Sequence, residues 1–161
     1  MAPDEEVNVM TLTIGSKAID FNLPGVDGKN HSLKELGEKK AVIVIFSCNH
    51  CPYVQAYEDR MVEIQRDYAE KSLQIVAINS NEDVNHPEDS FKNMVKRAKD
   101  KKFNFLYLRD ESQKVARDYG ATHTPHIFLF VRKDSIQCFA QIFSFYSFRF
   151  LPIVINFPCI F

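Results

Sequence analysis

The stretch "KKAVIVIFSCNHCP", residues 39–52, decides the fold. Residues 39–47 form a continuous β-branched and aromatic run, the pattern of a strand buried on both faces. The run ends on two cysteines, Cys48 and Cys51, separated by two residues and followed at once by Pro52. Beyond Pro52, Tyr53, Val54, Tyr57, Met61, Ile64 and Tyr68 recur at steps of three and four. That spacing predicts a helix over 52–71 with one inward stripe. The dithiol therefore falls where a buried strand hands over to a helix.

The same alternation continues outward. "LQIVAINSN" (73–81) reads as a second buried strand ended by a polar loop. "PEDSFKNMVKRAKDKK" (87–102) reads as a basic amphipathic helix whose charges form a solvated face. "FNFLYLRD" (103–110) alternates like a strand, "SQKVARDYG" (112–120) is a short helix stopped by Gly120, and "HIFLFVR" (126–132) is another strand. Upstream, "AIDFNLPGVDGKNHSLKEL" (18–36) holds a short strand, Pro-Gly and Asp-Gly turns, and Ser32 as a helix cap. Strands alternating with helices predict an α/β fold built on crossover units, with a mainly parallel sheet covered on both faces.

Bulk composition narrows the function. At 161 residues, with 45% hydrophobic and 25% charged residues, the chain has the size and make-up of one soluble globular domain. A formal net charge of −1 gives no electrostatic reason for a nucleic-acid partner. "MAPDEEVNVM" is acidic where a secretory signal is basic and then apolar, so a cytoplasmic location is expected. In that reducing setting a close cysteine pair points to chemistry rather than to a structural disulfide.

A C-x-x-C at a strand-to-helix junction suits thiol–disulfide exchange. The helix N-terminus favours the thiolate, and only the thiolate attacks a disulfide. Cys48 is expected to be the nucleophile and Cys51 the thiol that resolves the mixed disulfide. His50, between them, is expected to lower the Cys48 pKa, and Pro52 suits the first helical turn. "THTPH" (122–126) precedes the next strand, and a cis Thr124–Pro125 bond there would offer the Thr124 backbone to an extended substrate. A rival reading uses Cys48, Cys51 and one of His50, His123 or His126 to hold Cu(I) or Zn(II).

Residues 15–131 resemble the thioredoxin superfamily, and within it the AhpC/TSA (peroxiredoxin-like) branch. The resemblance rests on "AIDFNLPGVDGK", "VIVIFSCNHCPYVQAYEDR", "VAINSNE" and "YGATHTPHIFLF". It implies a thioredoxin-like fold with a mixed central sheet, a redox-active Cys48–Cys51 pair and a cis Pro125. It also implies an oxidoreductase acting on disulfides, with weak antioxidant activity at most. No cofactor is expected. The expected partners are a disulfide-bearing protein or small molecule and a thiol electron donor, with no nucleic acid and no membrane.

Three departures stand out. The Pro-x-x-x-Thr-x-x-Cys motif of true peroxiredoxins is missing, since its proline and threonine positions hold Ala41 and Ile45, or Val44 and Cys48. The buried aspartate of typical thioredoxins, six residues before the first cysteine, is Val42 here. Finally, the chain divides into an N-terminal arm (1–14), the thioredoxin-like domain (15–131) and an atypical tail (132–161). Residues 138–161 hold seven of the 14 phenylalanines and a single charge, Arg149. The tail is expected to leave the sheet without its last strand and to pack irregularly, with Cys138 and Cys159 outside the redox cycle.

Overall fold

The computed structural model describes residues 12–132, and the backbone of 136–142. Its centre is a five-stranded sheet in the order β5-β4-β3-β6-β7. The strands are β3 (Ala41–Ser47), β4 (Leu73–Asn79), β5 (Leu106–Arg109), β6 (His126–Arg132) and β7 (Ile136–Ile142). A front hairpin pairs β1 (Asn22–Pro24) with β2 (Asn30–Ser32). The described residues also form four α-helices: α1 (Pro52–Gln55), α2 (Glu58–Tyr68), α3 (Phe91–Asp100) and α4 (Lys114–Tyr119).

β3 is the middle strand because every one of its residues is buried. Alternate side chains leave a strand on opposite faces, so a run apolar at every position must be covered twice. Ala41, Ile43 and Ile45 join Ile75, Ala77, Ile127 and Leu129 beneath Met61, Ile64 and Tyr68 of α2 and Met94 of α3. Val42, Val44 and Phe46 face the other way, onto Phe128, Phe130, Val115 and Tyr119, with Phe21 and Leu33 from the front of the chain. Burying each such side chain contributes roughly 1.5–3 kcal/mol, which makes this strand the anchor of both cores.

The sheet is half parallel. β3 runs parallel to β4, and β4 to β5, through crossovers that carry α2 and α3. On the other side β6 lies antiparallel to β3. The mixed sheet implied by the family resemblance is what forms, whereas a mainly parallel sheet was the reading of the alternation alone. Gly120 ends α4 in the left-handed region, at φ 68°, where a residue without Cβ is favoured. The β5 edge does not stay open: Gly25 bridges Leu108, and the Val26 N–H donates to the Tyr107 carbonyl at 3.0 Å. The front hairpin thus blunts that edge.

Two expectations are corrected here. The helix expected over 52–71 is broken at residues 56–57 into the single turn α1 and the longer α2. The missing last strand is also overturned, because 136–142 pairs antiparallel with β6, with a register shift between Leu129 and Phe130. The side chains of 136–142, Cys138 among them, and the whole of 143–161 with Cys159 lie outside the described residues, as does most of the N-terminal arm. No helix among the described residues is long and apolar enough to cross a membrane.

Candidate active site

Both cysteines are free thiols at the C-terminal end of β3. Cys48 follows the strand directly and is 1% exposed, while Cys51 is half-buried. The Thr124–Pro125 bond is cis and brings Thr124 against both sulfurs. Its hydroxyl lies 3.3 Å from Cys48 Sγ, and its carbonyl accepts from Cys51 Sγ at 3.5 Å. Four of the residues singled out in the sequence, Cys48, Cys51, Thr124 and Pro125, therefore converge. Pro52 occupies the first turn of α1, as its missing N–H allows.

The electrostatics differ from the expectation. Burial pushes the Cys48 thiol up to about 11, with the Asp89 carboxylate and Cys51 adding to the rise. The Thr124 hydroxyl and the Cys51 backbone N–H oppose it and do not win. Two of the expected causes of a low value are absent. The helix begins only at Pro52, with Cys51 as its N-cap residue, so Cys48 is not at its terminus. His50 does not act on Cys48 as a lone cation either, because its Nδ1 is hydrogen-bonded to the carboxylate of Asp89.

Asp89 organises this side of the site. It is fully buried on the 3-10 turn Pro87–Asp89 that leads into α3. Its Oδ1 accepts the Asn49 N–H at 2.5 Å and the Asn79 amide at 3.1 Å, and Oδ2 accepts from Asn81 at 3.1 Å and from His50. Burial by itself would raise this carboxyl, but the donated hydrogen bonds outweigh it and hold it below the usual carboxylate range. Asn49, also buried, donates to the Glu88 carbonyl at 2.6 Å and accepts from the Tyr107 hydroxyl at 2.8 Å. Arg109 ties in the turn by donating to the Asn81 carbonyl at 2.6 Å and the Asp89 carbonyl at 3.2 Å.

Sequence reasoning missed Asp89, Asn49 and Asn79. Hydrophobic periodicity reads "PEDS" as a charged helix start, and nothing in it separates the buried Asp89 from its neighbour Glu88. The available signal was Asn79 and Asn81 directly after the apolar run Ile75–Ile78, since amides at the buried end of a strand require polar partners.

The other histidines sit elsewhere. His126 is buried, stacked on Phe128 at 4.6 Å and on His123 at 4.4 Å. Burial, with a smaller contribution from His123, holds its pKa down to about 4. Among the described residues the one grouping of three ligand-type side chains is Cys48, His50 and Asp89, with ligating atoms within 4.8 Å of one another. Cys51, His123 and His126 are not in it, and within it the imidazole and carboxylate already bond each other.

Two clefts flank the dithiol. One, of about 340 Å3, is lined by Phe46, Ser80, Gln113, Arg117 and Thr124. The other, of about 560 Å3, is lined by His50, Gln55, Glu88, Arg97 and Lys101. Beneath the second cleft's Arg97, the buried Glu58 accepts both Arg97 Nε and Nη2, at 2.5 and 2.7 Å, which pins α3 to α2.

Known proteins share this frame. A thiol-disulfide oxidoreductase, ResA, of Halalkalibacterium halodurans is 29% identical over 111 residues, covering 69% of this chain. The chain spans only 58% of that relative's length. Among solved structures, a hypothetical protein from Sinorhizobium meliloti is 36% identical with a TM-score of 0.74, over 78% of this chain and 69% of that one. An uncharacterized conserved protein from Geobacillus kaustophilus is 33% identical with a TM-score of 0.79, over 87% of this chain and 80% of that one. The AhpC/TSA family matches residues 14–139, from the front segment through the dithiol to β7. With the mixed sheet, the dithiol at the end of β3 and the cis Pro125 opposite it, that match shows that the chain belongs to the AhpC/TSA family of the thioredoxin superfamily.

Proposed function

We infer that the protein is a thiol–disulfide oxidoreductase in which Cys48 and Cys51 alternate between dithiol and disulfide. The observation that carries this reading is the contact of Thr124 with both sulfurs, ahead of the cis Pro125. The similarity to an oxidoreductase named for disulfide chemistry supports it.

The polarity of those contacts supports the roles expected from the sequence. Cys48 Sγ faces two donors, the Thr124 hydroxyl and the Cys51 N–H, which stabilise an anion. Cys51 Sγ faces a carbonyl oxygen, which stabilises the protonated thiol and repels a thiolate. Cys48 thus attacks a substrate disulfide, forming Cys48–S–S–R and releasing the second thiol, which takes up the Cys48 proton. Cys51 then attacks Cys48 Sγ, closing the intramolecular disulfide and releasing the first thiol. Two electrons pass to the substrate, and a thiol donor restores the dithiol. The substrate is a disulfide in a protein or a small molecule, met in a reducing compartment such as the cytoplasm. Without the peroxide-binding proline and threonine, antioxidant activity stays weak.

Trapping with a mixed-disulfide substrate tests this. Cys51→Ser should accumulate a Cys48 adduct, and Cys48→Ser should neither form one nor reduce disulfide. An adduct on Cys51 in the Cys48→Ser variant would reverse the roles. Turnover surviving in both variants would remove the dithiol from the reaction, and stoichiometric zinc or copper in the purified protein would favour a metal module.

A further inference from the structure

Cys48 has to lose a proton in a place where burial and a neighbouring carboxylate both oppose its anion, so the site needs a proton acceptor. The strand before the dithiol supplies none, since Val42 stands where a buried aspartate would. We propose that Asp89 and His50 form a dyad serving Cys48, with Asp89 as a positioning residue that fixes His50 as the base. The proposal rests on the dithiol reading above.

The geometry specifies the tautomer. Asp89 already accepts hydrogen bonds on both carboxylate oxygens and is held ionised, so it has no proton to give. The hydrogen bond to His50 must therefore be donated by Nδ1–H. In the neutral ring that leaves Nε2 unprotonated and directed away from the buried carboxylate. The ring is held flat against His86, with centroids 4.3 Å apart and planes 2° from parallel. A His50 nitrogen, Cys48 Sγ and an Asp89 oxygen lie within 4.8 Å of one another, a separation that one bridging water spans. In the exchange step Nε2 takes the Cys48 proton as the S–S bond to substrate forms, and returns it to the departing thiolate, so charge and protons balance.

Other charges face the dyad. From its own segment come His86 and Glu88, from α3 and the residue after it Lys96, Arg97, Asp100 and Lys101, and from β5 Arg109. Glu58 and Arg97 neutralise each other, and Arg109 is spent on the Asn81 and Asp89 carbonyls. None of these is placed to replace a carboxylate at Nδ1.

The test uses the full chain in a Cys51→Ser background, where attack stops at the mixed disulfide and Cys48 is followed by mass. In Asp89→Asn the amide presents a donor to His50, so the ring should switch to the Nε2–H tautomer, read by 15N NMR. Removing the carboxylate charge should speed alkylation of Cys48 near neutral pH, by about tenfold for each pH unit its midpoint falls. Mixed-disulfide formation should instead slow by about 100-fold, because Nε2 no longer passes the proton to the departing thiolate, a step that alkylation does not contain. A merely structural change would move both rates together. His50→Asn, at a one-third exposed position, keeps a donor to Asp89 and lacks Nε2; it should slow mixed-disulfide formation by a larger factor than alkylation of Cys48, which returns no proton to a departing thiolate. Both rates rising together in Asp89→Asn, an unchanged His50 tautomer, or unaffected mixed-disulfide formation in His50→Asn would overturn the dyad. Loss of all disulfide chemistry with the tautomer switch intact would instead sink the dithiol reading and leave the Asp89–His50 geometry standing.

Discussion

His126 ties the stability of the fold to pH, and its contribution follows from where it sits. The side chain is fully buried between the rings of His123 and Phe128, and Nδ1 accepts the Thr122 N–H at 3.3 Å. An imidazolium there would lose its hydration and its acceptor together, so the folded value falls from 6.5 to about 4. The direction of the linkage is then set. Between those two values the unfolded chain binds the proton and the folded chain does not, so stability is intact above 6.5 and drains away as the pH falls toward 4. At about 1.36 kcal/mol per pH unit, the gap of about 2.5 units corresponds to roughly 3 kcal/mol. The perturbation is His126→Gln, which keeps a polar side chain and removes the titration. Urea unfolding of both proteins near pH 7 and near pH 4.5 reads the effect, since carboxylate contributions cancel between them. Acidification should cost the wild type about 2–3 kcal/mol more than the variant. Equal losses in the two proteins would refute the assignment of a neutral, desolvated His126.

Two further expectations concern the site and its scaffold. Thr124→Val removes a donor that lowers the Cys48 thiol, so alkylation of Cys48 near neutral pH should slow, by about tenfold for each pH unit its midpoint rises; an unchanged rate would show that the 3.3 Å contact carries no hydrogen bond. Arg97→Met strips the buried Glu58 carboxylate of both short donors and leaves only Lys101, 3.8 Å away, so urea unfolding should show a loss of about 3 kcal/mol; a loss under about 1 kcal/mol would mean that water or Lys101 replaces the pair.

Local pattern was enough for the frame. A strand whose first six residues are all apolar can only be central, and a C-x-x-C directly behind it lands at the sheet's edge where a helix begins. The second buried strand, the Gly120 stop and the strand after Pro125 were legible for the same reason: each depends on neighbours in sequence. Pro125 opposite the dithiol came from the family resemblance, because residues 76 apart meet only through the pairing of β3 with β6.

What the tertiary structure decided is the electrostatic state of the site. Asp89 is 41 residues from Cys48 and lies in a segment whose composition reads as solvated, yet the end of β4 folds it inward onto Asn49, His50 and Asn79. A cysteine expected to ionise easily becomes one whose thiol is held up, because burial outweighs its two donors. The edge strand 136–142 was hidden too, since the uncharged sequence IQCFAQI carries no clean period, and its pairing is chosen by the open side of β6. Hydrophobic pattern is a property of neighbours along the chain; desolvation and charge depend on which distant groups the fold brings together.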